Sequence, residues 1–80
     1  MSIELVKILE EAQRHYKAEM FNWKEAQKAD EENDLEGYNL FWAASQYESG
    51  IVKGLLYAYE LATGRHVFEW QIKNELYELA

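Results

Sequence analysis

No proline interrupts the 80 residues of this chain. A proline inside a helix removes a backbone hydrogen bond and clashes with the preceding turn, at about 3 kcal/mol, so its complete absence leaves long unbroken helices open to the chain. Abundant Glu, Ala, Leu and Lys, with 15% aromatic residues, point the same way and against a turn-rich β fold.

The hydrophobic spacing says where those helices run. Leu5, Leu9, Ala12, Tyr16, Met20 and Trp23 recur at intervals of three and four, which places them on one face of a helix over about 3–31. Ser2 is a suitable N-cap, Glu4 suits the first turn of the dipole, and Glu10 with Arg14 forms an i,i+4 pair. Asp30-Glu31-Glu32-Asn33-Asp34 then breaks the pattern, and Asn33 with Glu36 reads as a capping box. A second helix over about 34–63 is expected to end at Gly64, a residue suited to the left-handed position past a helix end. Phe68, Trp70 and Ile72 alternate with Glu69, Gln71 and Lys73 as a strand would. A lone strand has no partner, however, and Phe68, Ile72, Leu76 and Leu79 also fit a helical stripe, so a shorter helix over about 66–79 is expected. The fold class is therefore all-α: one domain over 1–80, a long antiparallel helical hairpin plus a C-terminal helix, expected to complete a helical bundle by dimerisation.

At this length a single hydrophobic core only just offsets the entropy of folding, so help from a partner is expected. The chain has no cysteine, which excludes disulfides and thiolate zinc sites and fits a reducing compartment. Met1 to Leu5 shows no secretory signal, and the longest apolar run, Ile51 to Ala62, carries Lys53 and Glu60, so a cytoplasmic protein is expected. A net charge of −7 opposes binding to phosphate backbones and anionic lipid, and the eight basic residues do not cluster.

The second helix has too few polar positions for a two-helix hairpin. Tyr38, Phe41, Trp42, Ser45, Val52, Leu55, Leu56 and Tyr59 make one wide apolar face. Ala43, Tyr47, Gly50, Gly54, Ala58 and Leu61 make a second seam opposite it, leaving Asn39, Gln46, Lys53 and Glu60 as a narrow polar strip. Glycine inside a helix costs about 1 kcal/mol relative to alanine, and close approach of another helix is a reason to accept that cost twice on one seam. Either the C-terminal helix or a second copy of the chain could supply that approach. Phe21, away from the main face of the first helix, and the stripe His66, Trp70, Lys73 and Tyr77 add candidate partner-binding residues, since aromatics are enriched at interface hot spots. A C2 homodimer is the expected assembly.

Candidate chemistry is sparse. Asp30, Glu32, Asp34 and Glu36 before Gly37 resemble calcium-loop spacing, but with Glu32 in the first ligand position Ala43 stands where a bidentate Glu is required. Glu11, His15 and Glu19 share one flank of the first helix, without the Glu-x-x-His spacing of helical carboxylate metal sites. Glu48 sits within the main apolar face of the second helix, so a structural pair with an amide, tyrosine or base of the first helix, such as Gln13 or Tyr16, is expected. No nucleophile-and-base motif, phosphate loop or dinucleotide fingerprint is present, and neither cofactor nor metal is expected.

The expected function is a small acidic protein–protein interaction or adaptor module, homodimeric and non-catalytic, with an external protein partner. The alternative is an acidic inhibitor that imitates nucleic acid and blocks a DNA- or RNA-handling protein, as small phage or mobile-element proteins do. Its contact surface would be Asp30, Glu31, Glu32, Asp34 and Glu36. Direct nucleic-acid reading is disfavoured, because Arg65, His66 and Lys73 around Trp70 are too few to track phosphates.

Overall fold

The computed structural model describes residues 3–73. Two helices of equal length, α1 (Ile3–Glu31) and α2 (Leu35–Thr63), pack antiparallel along their whole length and give a rod 47 Å long. The helical hairpin and both of its expected boundaries are present.

The turn between the helices is set by a single left-handed residue. Asn33 has φ of 58°, its N–H donates to the Asp30 carbonyl at 3.1 Å, and the Asp34 N–H donates to the Ala29 carbonyl at 2.8 Å. These two bonds satisfy carbonyls that the end of α1 would otherwise orphan, and asparagine tolerates the left-handed conformation better than most residues. Asp34, not Asn33, is therefore the N-cap of α2, its carboxylate accepting from the Gly37 N–H at 2.9 Å. The expected capping box is absent: Asn33 already serves the end of α1, the N-cap moves to Asp34, and the third helical residue is then Gly37, which has no side chain to return the bond. Gly37 is small out of need, since a Cβ there would run into the Asp34 carboxylate. At its other end α2 stops at Gly64, with φ of 71° and its N–H donating to the Glu60 carbonyl at 2.7 Å.

The core lies towards the open end of the hairpin, where Leu9 and Ala12 of α1 meet Val52, Leu56 and Tyr59 of α2. Two residues beyond Gly64, Val67 and Ile72, close it. This is where the structure departs from the expected C-terminal helix over 66–79. Among the described residues the chain is extended to Phe68 and then makes only a 3-10 turn, Glu69–Ile72, that packs on α1. The Phe68 N–H donates to the Gln71 side chain at 2.8 Å and fixes that turn. Positions 67 and 72 lie about 140° apart around a helix and could not both face the core, whereas an extended strap ending in a turn buries both. Val67 takes the place expected of Phe68, which is exposed. The remainder of the expected helix, including Leu76, Tyr77 and Leu79, lies outside the described residues.

Near the turn the two helices are joined by small side chains, with Ala26 and Ala29 fully or almost fully buried. Trp23 and Trp42, both expected on the inner faces, lie at the edges and keep more than a third of their surface exposed. Backbones brought close by alanine leave no room between them for an indole.

Candidate functional site

The outer faces of the two helices differ in kind. That of α1 is charged and exposed at Lys7, Glu10, Arg14, Lys17, Lys24 and Lys28. On α2, the face turned away from α1 carries Leu40, Ala43, Tyr47, Gly50, Gly54, Tyr57, Ala58 and Leu61, all exposed and none charged. Leu40 keeps 67% of its surface accessible, Tyr47 71% and Leu61 70%. A Cβ placed on Gly50 or Gly54 meets nothing within 4 Å. The six seam residues read from the sequence thus lie together on one open surface. Leu40 and Tyr57 extend it, and their three- and four-residue spacing from Ala43, Gly54 and Leu61 is the signal that would have included them.

Among the described residues the strap reaches this surface at Tyr57 and leaves the rest of it uncovered. It runs along one flank of α2, where Nδ1 of His66 lies 3.4 Å from the Glu60 carboxylate. A groove of about 310 Å³ lies between them, with Lys53, Tyr57, Val67 and Phe68 in its walls. Along the strap the rings of His66 and Phe68 meet edge to face at 4.5 Å, and those of Phe68 and Trp70 stack at 6.2 Å. The exposed aromatics of the strap are therefore His66, Phe68 and Trp70, a two-residue alternation that replaces the expected helical stripe. Lys73 leaves that stripe and joins Phe21. Both line a second groove of about 330 Å³ with Tyr16, Lys17, Met20 and Lys24, where Phe21 stays 60% exposed. Tyr77 lies outside the described residues.

Polar groups bridge the helices on their inner side. Glu48 pairs with His15 of α1, the side chains only 19% and 18% exposed. It is the cross-helix pair that the position of Glu48 demands, with a base of the first helix, His15, as the partner instead of Gln13 or Tyr16. Arg14 lies against Nε2 of His15 at 3.2 Å, while Nδ1 on the other side of the ring meets the Glu48 carboxylate. Arg14 also holds Glu11 at 2.7 Å, and this hydrogen bond lowers the Glu11 pKa from its ordinary value. Glu11 stands 3.7 Å from Nε2 of His15 while Glu48 is on Nδ1. The carboxylates thus flank opposite edges of the ring instead of converging on one point. Among the described residues no group of three or more His, Asp or Glu side chains has metal-holding geometry.

Glu19, the third member of that flank, faces Ser49 and the strap. Its pKa is raised, first by burial and then by the nearby Glu69 charge, with Lys53 and the Ser49 hydroxyl opposing. One of its carboxylate oxygens is buried without a hydrogen-bond partner. Ser45, buried beside it, donates to the Glu19 backbone carbonyl at 3.3 Å. The acids Asp30, Glu31, Glu32, Asp34 and Glu36 are all exposed at the turn, at one tip of the rod. No described helix is long and apolar enough to cross a membrane. No family model, curated protein or solved structure matches the chain.

Proposed function

We propose that this protein is a non-catalytic interaction module that works as a homodimer, with the outer face of α2 as its self-association surface. The observation that carries this reading is the contrast between the two helices: one has an outer face charged except at Phe21, the other eight exposed uncharged positions between Leu40 and Leu61. Burying a side chain such as Leu61 or Tyr47 contributes about 1.5–3 kcal/mol, and contiguous apolar surface of this kind marks a contact site. A two-helix hairpin needs only one apolar face per helix, so a second one serves association. The strap aromatics His66, Phe68 and Trp70, and the groove around Phe21 and Lys73, lie off that face and remain available to an external protein partner.

Thermal unfolding over a range of protein concentrations tests this. A self-associating chain shows a midpoint that climbs with concentration, because the dimer is favoured by mass action. A midpoint independent of concentration from low micromolar to millimolar would contradict it.

A second reading, an acidic inhibitor that imitates nucleic acid, draws on the five exposed acids at the turn. Binding of that kind to a basic partner weakens steeply as salt is raised, whereas contact through apolar surface does not.

A further inference from the structure

We infer that the two copies pair antiparallel through α2, with the twofold axis at the level of Val52, between Gly50 and Gly54. This rests on the reading of the α2 outer face as a self-association surface and adds the orientation and register.

Charge decides the orientation. Asp30, Glu31, Glu32, Asp34 and Glu36 are all exposed at the end of the rod where α2 begins. A parallel pair would set five carboxylates of one copy beside the same five of the other, and like charges so placed repel. In the antiparallel pair the two acidic turns stand about 55 Å apart, taking 1.5 Å per residue, far beyond the screening length of about 8 Å at physiological salt. The start of α2, with Asp34 and Glu36, then lies beside the end of α2 in the partner subunit, where exposed Arg65 follows Gly64. Opposed helix dipoles favour the same arrangement.

Side-chain size sets the register. With the axis at the level of Val52, positions whose numbers sum to 104 share a level. Gly50 meets Gly54 of the partner subunit, Ala43 meets Leu61 of the partner subunit, and Leu40 meets Gly64 of the partner subunit. Small thus opposes large at both ends, and the glycines allow the backbones to close at the centre. Tyr47 and Tyr57 of the partner subunit share a level but point to opposite sides of the contact, so the rings pass each other. In a parallel pair Leu40, Tyr47, Tyr57 and Leu61 would each confront their own copies, holding the helices apart where the glycines invite approach. Antiparallel pairing turns two hairpins into a four-helix bundle, with helices inclined about 20° to one another.

The chain has no cysteine, so single cysteines report the arrangement cleanly. Ala43→Cys and Leu61→Cys are made separately, mixed, allowed to exchange subunits, and oxidised. Antiparallel pairing gives a disulfide-linked dimer in the mixture and none in either variant alone, because two copies of position 43 lie about 27 Å apart. Crosslinking of Ala43→Cys with itself would overturn the orientation. A sample that sediments as a dimer but fails to crosslink in the mixture would overturn the register while leaving self-association standing. A sample that sediments as a monomer would overturn both the inference and the reading beneath it.

Discussion

At the residue scale, the interior is organised by two acids with opposite circumstances. Glu48 has a donor in His15 and is hydrogen-bonded across the helix interface. Removing one partner leaves the other half-buried and unpaired, so His15→Ala is expected to destabilise the fold by about 1–3 kcal/mol in urea denaturation. In a double-mutant cycle with Glu48→Gln, a coupling energy near zero would contradict the pair. Glu19 has no such donor on one of its oxygens, and burial beside Glu69 raises its pKa. A carboxyl whose folded pKa lies above its unfolded value binds more protons when folded. Its contribution to stability is therefore largest at acidic pH and is lost as pH rises through the raised value. Glu19→Gln is expected to stabilise the protein at neutral pH by less than about 1 kcal/mol, since the group keeps part of its hydration, and to remove the loss of stability that accompanies a rise in pH above the ordinary carboxylate range. Destabilisation at pH 7 would contradict this. Glu48 was legible in the sequence because an acid within an apolar helical face is out of place. Its partner was not, because Gln13, His15 and Tyr16 lie within three positions of one another and the drift of a straight helix against its neighbour decides among them. Glu19 was missed as a buried acid because Ser49 and the strap, both distant in sequence, create its surroundings.

At the scale of elements, four glycines divide into two kinds. Gly37 and Gly64 serve the helix ends, one by clearing the Asp34 side chain that caps α2 and one by holding φ of 71°. Gly64→Ala is expected to cost about 1 kcal/mol in the unfolding free energy. Gly50 and Gly54 lie in regular helix with open space beside them. Gly54→Ala should therefore strengthen the isolated hairpin by about 1 kcal/mol through helix propensity, and it should weaken dimerisation because a methyl group enters the contact. Opposite signs from one substitution are the signature of a glycine kept for association. If stability rises and association is unchanged, the seam has another purpose. The helix boundaries were readable because their signals are local: a polar run at the turn, glycine at the end, and intervals of three and four between. The strap was not, because Phe68, Ile72, Leu76 and Leu79 support a helix about as well as the alternation at Phe68, Trp70 and Ile72 supports an extended chain. Burial of both Val67 and Ile72 against a core built by distant residues decides between them.

At the scale of the whole molecule, the hairpin pairs a charged side with an uncharged one. The core is a thin layer between two helices, closed at one end by the strap and narrowed at the other by Ala26 and Ala29. So slight a core makes the apolar outer face of α2 meaningful for stability as well as for binding, because a dimer would add a second buried layer. The excess of apolar positions on α2 was plain from sequence. Whether the C-terminal segment would cover them was not, and among the described residues the strap crosses the flank at Lys53 and Glu60, reaches the outer face at Tyr57 and leaves the rest of that face open. Sedimentation equilibrium on the unaltered chain and on Tyr47→Lys is the most direct test. Tyr47 is exposed in the single chain, so lysine there should leave helix content unchanged while placing a charge in the centre of the proposed contact. A dimer with Kd below about a micromolar is expected for the unaltered chain, weakened at least about tenfold in Tyr47→Lys. An unaltered chain that stays monomeric at high concentration with its helices intact, or a dimer that Tyr47→Lys does not disturb, would contradict it.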